Sequence, residues 1–233
     1  MADTAVGDRA PISRPTTSER VAVEVRRRIW TGEYASGRRL HQDELAAALG
    51  VSRIPVREAL IALAHEGTVR MEPHRGAFVT PVDEASVRDH YELFAHLDGF
   101  ALTKAIERAD TPQRRELAAA MTAAADTADV DELHRLVIGA RDRIHELGGS
   151  PRFDAVAAGL RGIVPGNFFA EVPGAATVAR TRLPEVGVAL AAGDATGATA
   201  AYRTMLHEQA ELVVATLRDR GVLVDGDCGE DDR

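Results

Sequence analysis

From Asp83 to Arg220 the chain never shows the two-residue alternation of a half-buried strand. Apolar residues recur three and four apart instead, over stretches near 83–109, 112–127, 130–147, 152–164, 176–192 and 195–220. That is the period of helices that bury one face. The interruptions are chemically legible: Thr111-Pro112, Gly148-Gly149-Ser150-Pro151, Val164-Pro165-Gly166 and Gly193-Asp194 all supply breakers or caps. The expectation is an all-α bundle over residues 82–221. Ala118 to Ala128 is an Ala-rich helix with little stripe. No repeat of 20–50 residues is visible, which excludes a solenoid.

The preceding 65 residues follow another plan. Thr17 or Ser18 can cap a helix whose apolar positions Val21, Val25 and Ile29 recur every four residues, ending near Gly32. After Gly37 a short extended piece covers 38–40. A second helix carrying Leu45, Ala46 and Leu49 stops at Gly50, where glycine tolerates the left-handed conformation that ends helices. Ser52 caps a third, Pro55 fits its first turn, and Val56, Ala59, Leu60 and Leu63 form its buried stripe. Val69 to Met71 and Ala77 to Thr80 are strand-like runs around Pro73-His74-Arg75-Gly76, which predicts a two-stranded hairpin. Residues 1–16 read as a flexible arm and 222–233 as an acidic tail. The fold class is therefore mainly α, with a winged helix-turn-helix before the bundle.

Charge selects among functions. The net charge is −8 over 233 residues, which argues against a nucleic-acid partner until the chain is divided at Pro81. Residues 17–81 carry +2, residues 82–233 carry −10, and the first 16 are neutral. Only the N-terminal segment can face phosphates, where cations replace condensed counterions. With 45% hydrophobic residues the chain can build sizeable cores. No apolar run approaches the ~18–20 residues of a bilayer span and no secretory signal opens the sequence, so a cytoplasmic protein without membrane contact is expected. Cys228, the one cysteine, excludes an internal disulfide and a Cys-rich zinc site. Basic charge is almost entirely arginine, with Lys104 the one lysine; this bias warns against treating every Arg as functional.

The tight turn Leu49-Gly50-Val51, a basic helix start and a basic hairpin make a DNA-reading arrangement. The N-terminal turn of the recognition helix enters the major groove, so Ser52, Arg53, Ile54 and Arg57 can reach DNA while Val56, Leu60 and Leu63 hold the helix on its core. An Arg fork can take guanine O6 and N7 together, which a lysine cannot do equally well. The segment from Gly50 through Leu60, with Glu66-Gly67 and Arg75-Gly76-Ala77-Phe78-Val79 behind it, closely resembles the winged-helix domain of GntR-family bacterial transcription regulators. The resemblance covers about residues 17–81. It implies that Ser52, Arg53, Ile54 and Arg57 lie at the operator, with His74, Arg75 and Gly76 at the wing tip in the minor groove. Ile54 stands where that family often has Thr, which leaves apolar contact with a thymine methyl in place of a hydroxyl bond.

The helical remainder resembles, over about 83–220, the effector domain of the FadR-type (FCD) branch. The resemblance rests on Tyr91 to Ala101, the Gly149-Ser150-Pro151-Arg152-Phe153 break and the Gly193-Asp194 helix start. It implies a dimerising bundle that holds a small carboxylate, often over a metal bound by one Asp and three His. Asp142 and His145 offer one register for the first two ligands. The buried stripe Leu133, Leu136, Val137, Ala140, Ile144 and Leu147 puts Asp142 on the opposite side, however, with His145 about a third of a turn off at ~100° per residue. Anchoring on the 149–153 break places Val137 and Arg141 at the Asp and first His positions. Counting from Gly193 places Leu183 and Met205 at the other two, with His207 facing elsewhere, and Phe94 stands at the family's Arg. Each apolar residue taken singly is an ordinary core residue; their joint fall on pocket positions is the informative fact.

Arg141, half inside a bundle, needs an anionic partner, either a ligand or a neighbouring helix. Arg180 and Arg182 are alternative anion binders, more naturally solvated, and His134 is more simply a surface histidine than a metal ligand. The expectation is a pocket of Phe94, Val137, Arg141, Leu183 and Met205 for a largely apolar effector with an acidic group, with no metal and no cofactor. No catalytic residues are expected: neither a nucleophile elbow nor a phosphate-cradling glycine loop occurs. The leading function is a ligand-responsive repressor that binds a short palindromic double-stranded DNA operator as a homodimer. A bundle that only dimerises and a metal-dependent enzyme are the rivals.

Overall fold

The computed structural model describes residues 15–160 and 163–224. Most of the expected arm (1–14), most of the expected tail (225–233, with Cys228) and Arg161 and Gly162 lie outside the described residues. Helix α1 (Thr17–Trp30) starts one residue before the sequence suggested. Thr16 is its cap, in a reciprocal box in which the Thr16 side chain accepts from the Glu19 N–H while Glu19 accepts from the Thr16 N–H. Two donors that a helix start leaves unpaired are thereby satisfied. Strand β1 (Arg39–Leu40) leads to α2 (Gln42–Leu49), which ends at Gly50 with φ +65°. Helix α3 (Arg53–His65) follows, then β2 (Val69–Glu72) and β3 (Gly76–Val79).

The hairpin is wider than expected. β1 pairs antiparallel with the free edge of β3, Arg39 opposite Phe78 and Leu40 opposite Ala77, so a three-stranded sheet in the order β1-β3-β2 forms. Leu40 thereby joins Val69, Ala77 and Val79 against α1 and α3, in a core with Val25, Val56, Leu60 and Leu63. A two-residue strand carries no periodic signal, which is why the sequence left it merely extended.

Among the described residues seven helices follow: α4 (Glu84–Arg108), α5 (Thr111–Asp126), α6 (Val130–Gly148), α7 (Pro151–Gly159), α8 (Phe168–Glu171), α9 (Ala175–Ala192) and α10 (Ala195–Asp219). Asp83 and Asp110 cap α4 and α5 in reciprocal boxes with Ser86 and Gln113. The helix expected over 152–164 ends at Gly159, and a single turn at 168–171 appears where none was expected. One turn is too short to display a period. The helices pack α4 on α6 and α10, and α9 on α5 and α10, around Leu102, Leu133, Leu183, Leu190 and Leu217. Burying each such leucine contributes ~1.5–3 kcal/mol. At Gly148, α6 lies close against α4, and a β-carbon there would fall 1.9 Å from the Ala101 carbonyl oxygen.

Trp30 closes α1 yet packs in the core of the later helices. Chain packing also continues past Gly221: Val222 is buried and the Val224 N–H donates to Val82 O at 2.9 Å. Among the described residues no helix is long and apolar enough to cross a membrane.

Candidate nucleic-acid interface and bundle cavity

The start of α3 is built so that its inner face is fixed and its outer face is bare. Val56, Ala59, Leu60 and Leu63 are buried. Ser52 occupies the cap position with extended backbone, but its hydroxyl makes no capping bond. Arg53 and Arg57 are exposed, and Ile54 is 70% exposed. A single exposed isoleucine is ordinary; the position beside Arg53 at the start of α3 is what marks this one. Arg53 makes an ion pair with Asp43 of α2, an exposed contact of little stabilising value. Among the described residues no hydrogen bond or ion pair holds Arg57. Behind this face Arg26 clasps Glu66 through Nε at 2.9 Å and Nη2 at 2.7 Å, tying α1 to the end of α3.

His74 sits at the β2–β3 turn with φ +62°, the one non-glycine residue with positive φ among those described, and Gly76 follows at φ +102°. This sharp turn places Arg75 at the tip, where its Nη1 lies 2.7 Å from Glu72 Oε2. Arg70 and Arg75 flank the Phe78 ring at 5.1 and 5.5 Å. The seven expected DNA residues thus fall on two features, the start of α3 and the turn of the hairpin.

In the bundle, Phe94 of α4, Val137 and Arg141 of α6, Leu183 of α9 and Met205 of α10 border one cavity of about 300 Å³. Tyr91, His134, Ile138, Phe168, Phe169 and Gln209 complete much of its wall. The metal centre that the resemblance implied does not fit these side chains. Val137 and Leu183 offer no donor, Met205 only a soft sulfur, and Arg141 a repelling charge. Among the described residues no three His, Cys, Asp or Glu side chains are placed to hold an ion.

Sequence reasoning missed Asp98. It lies one turn beyond Phe94 on α4, is 4% exposed, and gathers three partners from two other helices. Arg141 Nε donates to Oδ2 at 2.9 Å, the Tyr202 hydroxyl donates to Oδ2 at 2.8 Å, and His145 Nε2 lies 2.9 Å from Oδ1. Burial pushes the Asp98 carboxyl up, but the His145 hydrogen bond, the Arg141 charge and the Tyr202 hydroxyl outweigh it and hold it below the usual carboxylate range. The anionic partner that Arg141 requires is therefore this carboxylate. Arg141 also lies over the Phe94 ring, 4.3 Å from its centre, a cation–π contact. The available signal was a lone acid inside the apolar run Leu93 to Ala101.

Other expectations resolve similarly. His134 is partly exposed and also lines the cavity, where it sets its ring edge to Phe169 and is pushed toward the neutral form by burial. His145 is half-buried against Phe153, and His207 faces away from the cavity to pair with Glu92. Arg180 donates to the carbonyls of Thr127 and Ala128 at 2.9 Å each, closing the end of α5. Arg182 pairs with Glu208 and Glu185.

Similarity to known proteins is strongest at the N-terminus. The family model described as "Bacterial regulatory proteins, gntR family" matches residues 17–79. An HTH-type transcriptional regulator of Mycobacterium tuberculosis, Rv0043c, is 30% identical over 151 residues, 65% of this chain and 62% of that protein. The chain thus spans less than two thirds of the length of that relative. The gluconate operon transcriptional repressor of Bacillus licheniformis is 39% identical over 93 residues, 40% of this chain and 38% of the repressor. Among solved structures, a putative GntR transcriptional regulator from Rhodococcus sp. RHA1 shares the fold with a TM-score of 0.55 at 24% identity, covering 85% of this chain and 97% of that one. The exposed start of α3, the wing and these matches agree: residues 17–79 form a winged helix-turn-helix that matches the gntR family of bacterial regulatory proteins.

Proposed function

We propose that this chain is a cytoplasmic, homodimeric transcription repressor that recognises a short palindromic operator and responds to a small molecule held in a helical domain of the FadR (FCD) type. Residues 17–81 form the DNA-reading unit and residues 82–221 the sensing and dimerising one. Ser52, Arg53, Ile54 and Arg57 read the major groove; His74, Arg75 and Gly76 meet the backbone and minor groove. The observation that carries the sensing part is the convergence of Phe94, Val137, Arg141, Leu183 and Met205, from four helices, on one cavity. A bundle that needed only to dimerise would gain stability by filling that space.

Two-fold symmetry follows from reach, since one recognition helix covers a few base pairs and a second copy doubles the site. The exposed Leu93 and Phe100 of α4 and Val156 of α7, 59%, 51% and 58% exposed, form a contiguous apolar face suited to that second copy. Effector binding alters DNA affinity through its differential affinity for the DNA-competent arrangement and its alternative. A purely dimerising bundle is the second reading, and what favours it is that Asp98 already neutralises Arg141 without a ligand.

Selection of binding sites from random DNA with the purified chain tests the core of this reading. It expects a palindrome, with Arg53→Ala and Arg57→Ala each weakening specific binding by ~1–3 kcal/mol if the two side chains take guanines. Unchanged affinity in both folded variants refutes the assignment of α3 as the reading element.

A further inference from the structure

The polar groups around the bundle cavity divide into two sets. The charged set is already satisfied internally. Asp98 accepts from Arg141 and Tyr202 and faces His145, and Arg141 is further engaged by the Phe94 ring. A ligand carboxylate arriving at Arg141 would have to share its guanidinium with Asp98, leaving two like charges in a poorly solvated site around one cation.

The uncharged set is differently placed. Gln209 is 5% exposed, one turn beyond Met205 on α10, and Tyr91 is 6% exposed, one turn before Phe94 on α4. His134 stands one turn before Val137 on α6. Among the described residues no hydrogen bond reaches the side chain of any of these three. Burial shifts the Tyr91 hydroxyl and His134 away from their charged forms, and in the uncharged form each can donate and accept. Polar side chains of this kind, bordering a cavity and without a protein hydrogen-bond partner, favour an occupant that supplies one.

We infer that the cavity takes an uncharged, largely apolar molecule bearing carbonyl or hydroxyl oxygens, such as a lactone, ketone, amide or alcohol, and discriminates against the free carboxylate of the same skeleton. This replaces the acidic effector expected from Arg141 alone, and it rests on the reading that the cavity is a ligand site. Asp98 is the specificity determinant: it acts by occupying Arg141. The aromatic and aliphatic wall of Phe94, Val137, Phe168, Leu183 and Met205 takes the hydrocarbon, while Gln209, Tyr91 and His134 take the oxygens.

The test uses the full chain and matched probes of about eight to twelve carbons, sized to a small ligand cavity. Each primary amide, methyl ketone and δ-lactone is paired with the straight-chain carboxylate of equal carbon number. Binding is measured by calorimetry near neutral pH. The expected result is that uncharged members bind tighter than their carboxylates by about tenfold or more, a difference of ~1.4 kcal/mol. Gln209→Met should weaken the uncharged members by roughly tenfold, the loss of one satisfied hydrogen bond, and leave the carboxylates unchanged. Asp98→Asn, close to isosteric, should free Arg141 and swing the preference toward carboxylates; thermal melting verifies that both variants fold.

Carboxylates binding as tightly as the uncharged members in the unmodified chain would overturn the charge selection while leaving the cavity a ligand site. Failure of every probe in both series would overturn the ligand-site reading itself. The comparison in the unmodified chain needs no variant to fold.

Discussion

The indole Nε1 of Trp30 donates a hydrogen bond to Glu171 Oε2 across 3.0 Å, joining the last residue of α1 to the last residue of α8. Arg220 stacks on the same indole, 4.6 Å from its centre, and reaches the Glu171 carboxylate at 3.4 Å. Glu171 lies two and three residues beyond Phe169 and Phe168, which border the cavity. One short helical turn therefore touches both the bundle cavity and the root of the helix-turn-helix.

Because Trp30 is the one tryptophan in the chain, its fluorescence reports on this junction alone. Glu171→Ala removes the indole's acceptor at a partly exposed site and should destabilise the protein by ~1 kcal/mol. Emission should move to longer wavelength as the indole meets water. Urea titration followed at Trp30 reads both; unaltered emission would show that the contact does not hold the junction.

Arg75 at the wing tip should behave unlike Arg53 and Arg57. It projects from a hairpin turn, where contacts are to phosphate or to the degenerate minor-groove edge. Arg75→Ala should weaken operator and random DNA alike and reduce the slope of log affinity against log salt by about 1. Its pairing with Glu72 makes the loss smaller than for an unpaired cation. A loss confined to operator DNA would mean that Arg75 reads bases.

The apolar face of Leu93, Phe100 and Val156 predicts the site of self-association. Leu93→Asp and Phe100→Asp each place a charge where a second copy would bury it, so dimer dissociation should rise by on the order of 100-fold, as for loss of a strong interface residue. Since both positions are exposed, folding should be little affected. Light scattering coupled to size exclusion distinguishes the outcomes, and dimers persisting at low micromolar concentration in both variants would place the interface elsewhere.

Gly148 allows α6 to lie against α4. A β-carbon there meets Ala101 O at 1.9 Å and Ala105 N at 2.9 Å, both backbone atoms that cannot step aside as a side chain would. Gly148→Ala should cost at least ~1–3 kcal/mol, read as a lowered melting temperature. Gly139, whose β-carbon would meet nothing within 4 Å, serves as the control on the same helix.

The helix-turn-helix was legible because its signals are local. Gly50 in a left-handed turn, Pro55 in a first helical turn and the Val56, Ala59, Leu60 and Leu63 stripe are each decided within a few residues, as are the breaks that divide the bundle. Helical period likewise assigned Val137 and Arg141 to inward and borderline positions, whereas Leu183 and Met205 were placed by the register that the family resemblance implies. Period tells which side of a helix is buried but not what lies opposite. The meeting of Asp98 with Arg141, His145 and Tyr202 spans separations of 43, 47 and 104 residues, and Trp30 finds Glu171 141 residues away. So the sequence determined the elements and their faces, whereas tertiary packing decided that the Arg141 charge is answered from within. That pairing depends on how α4, α6 and α10 converge, and nothing local to any one of them encodes it.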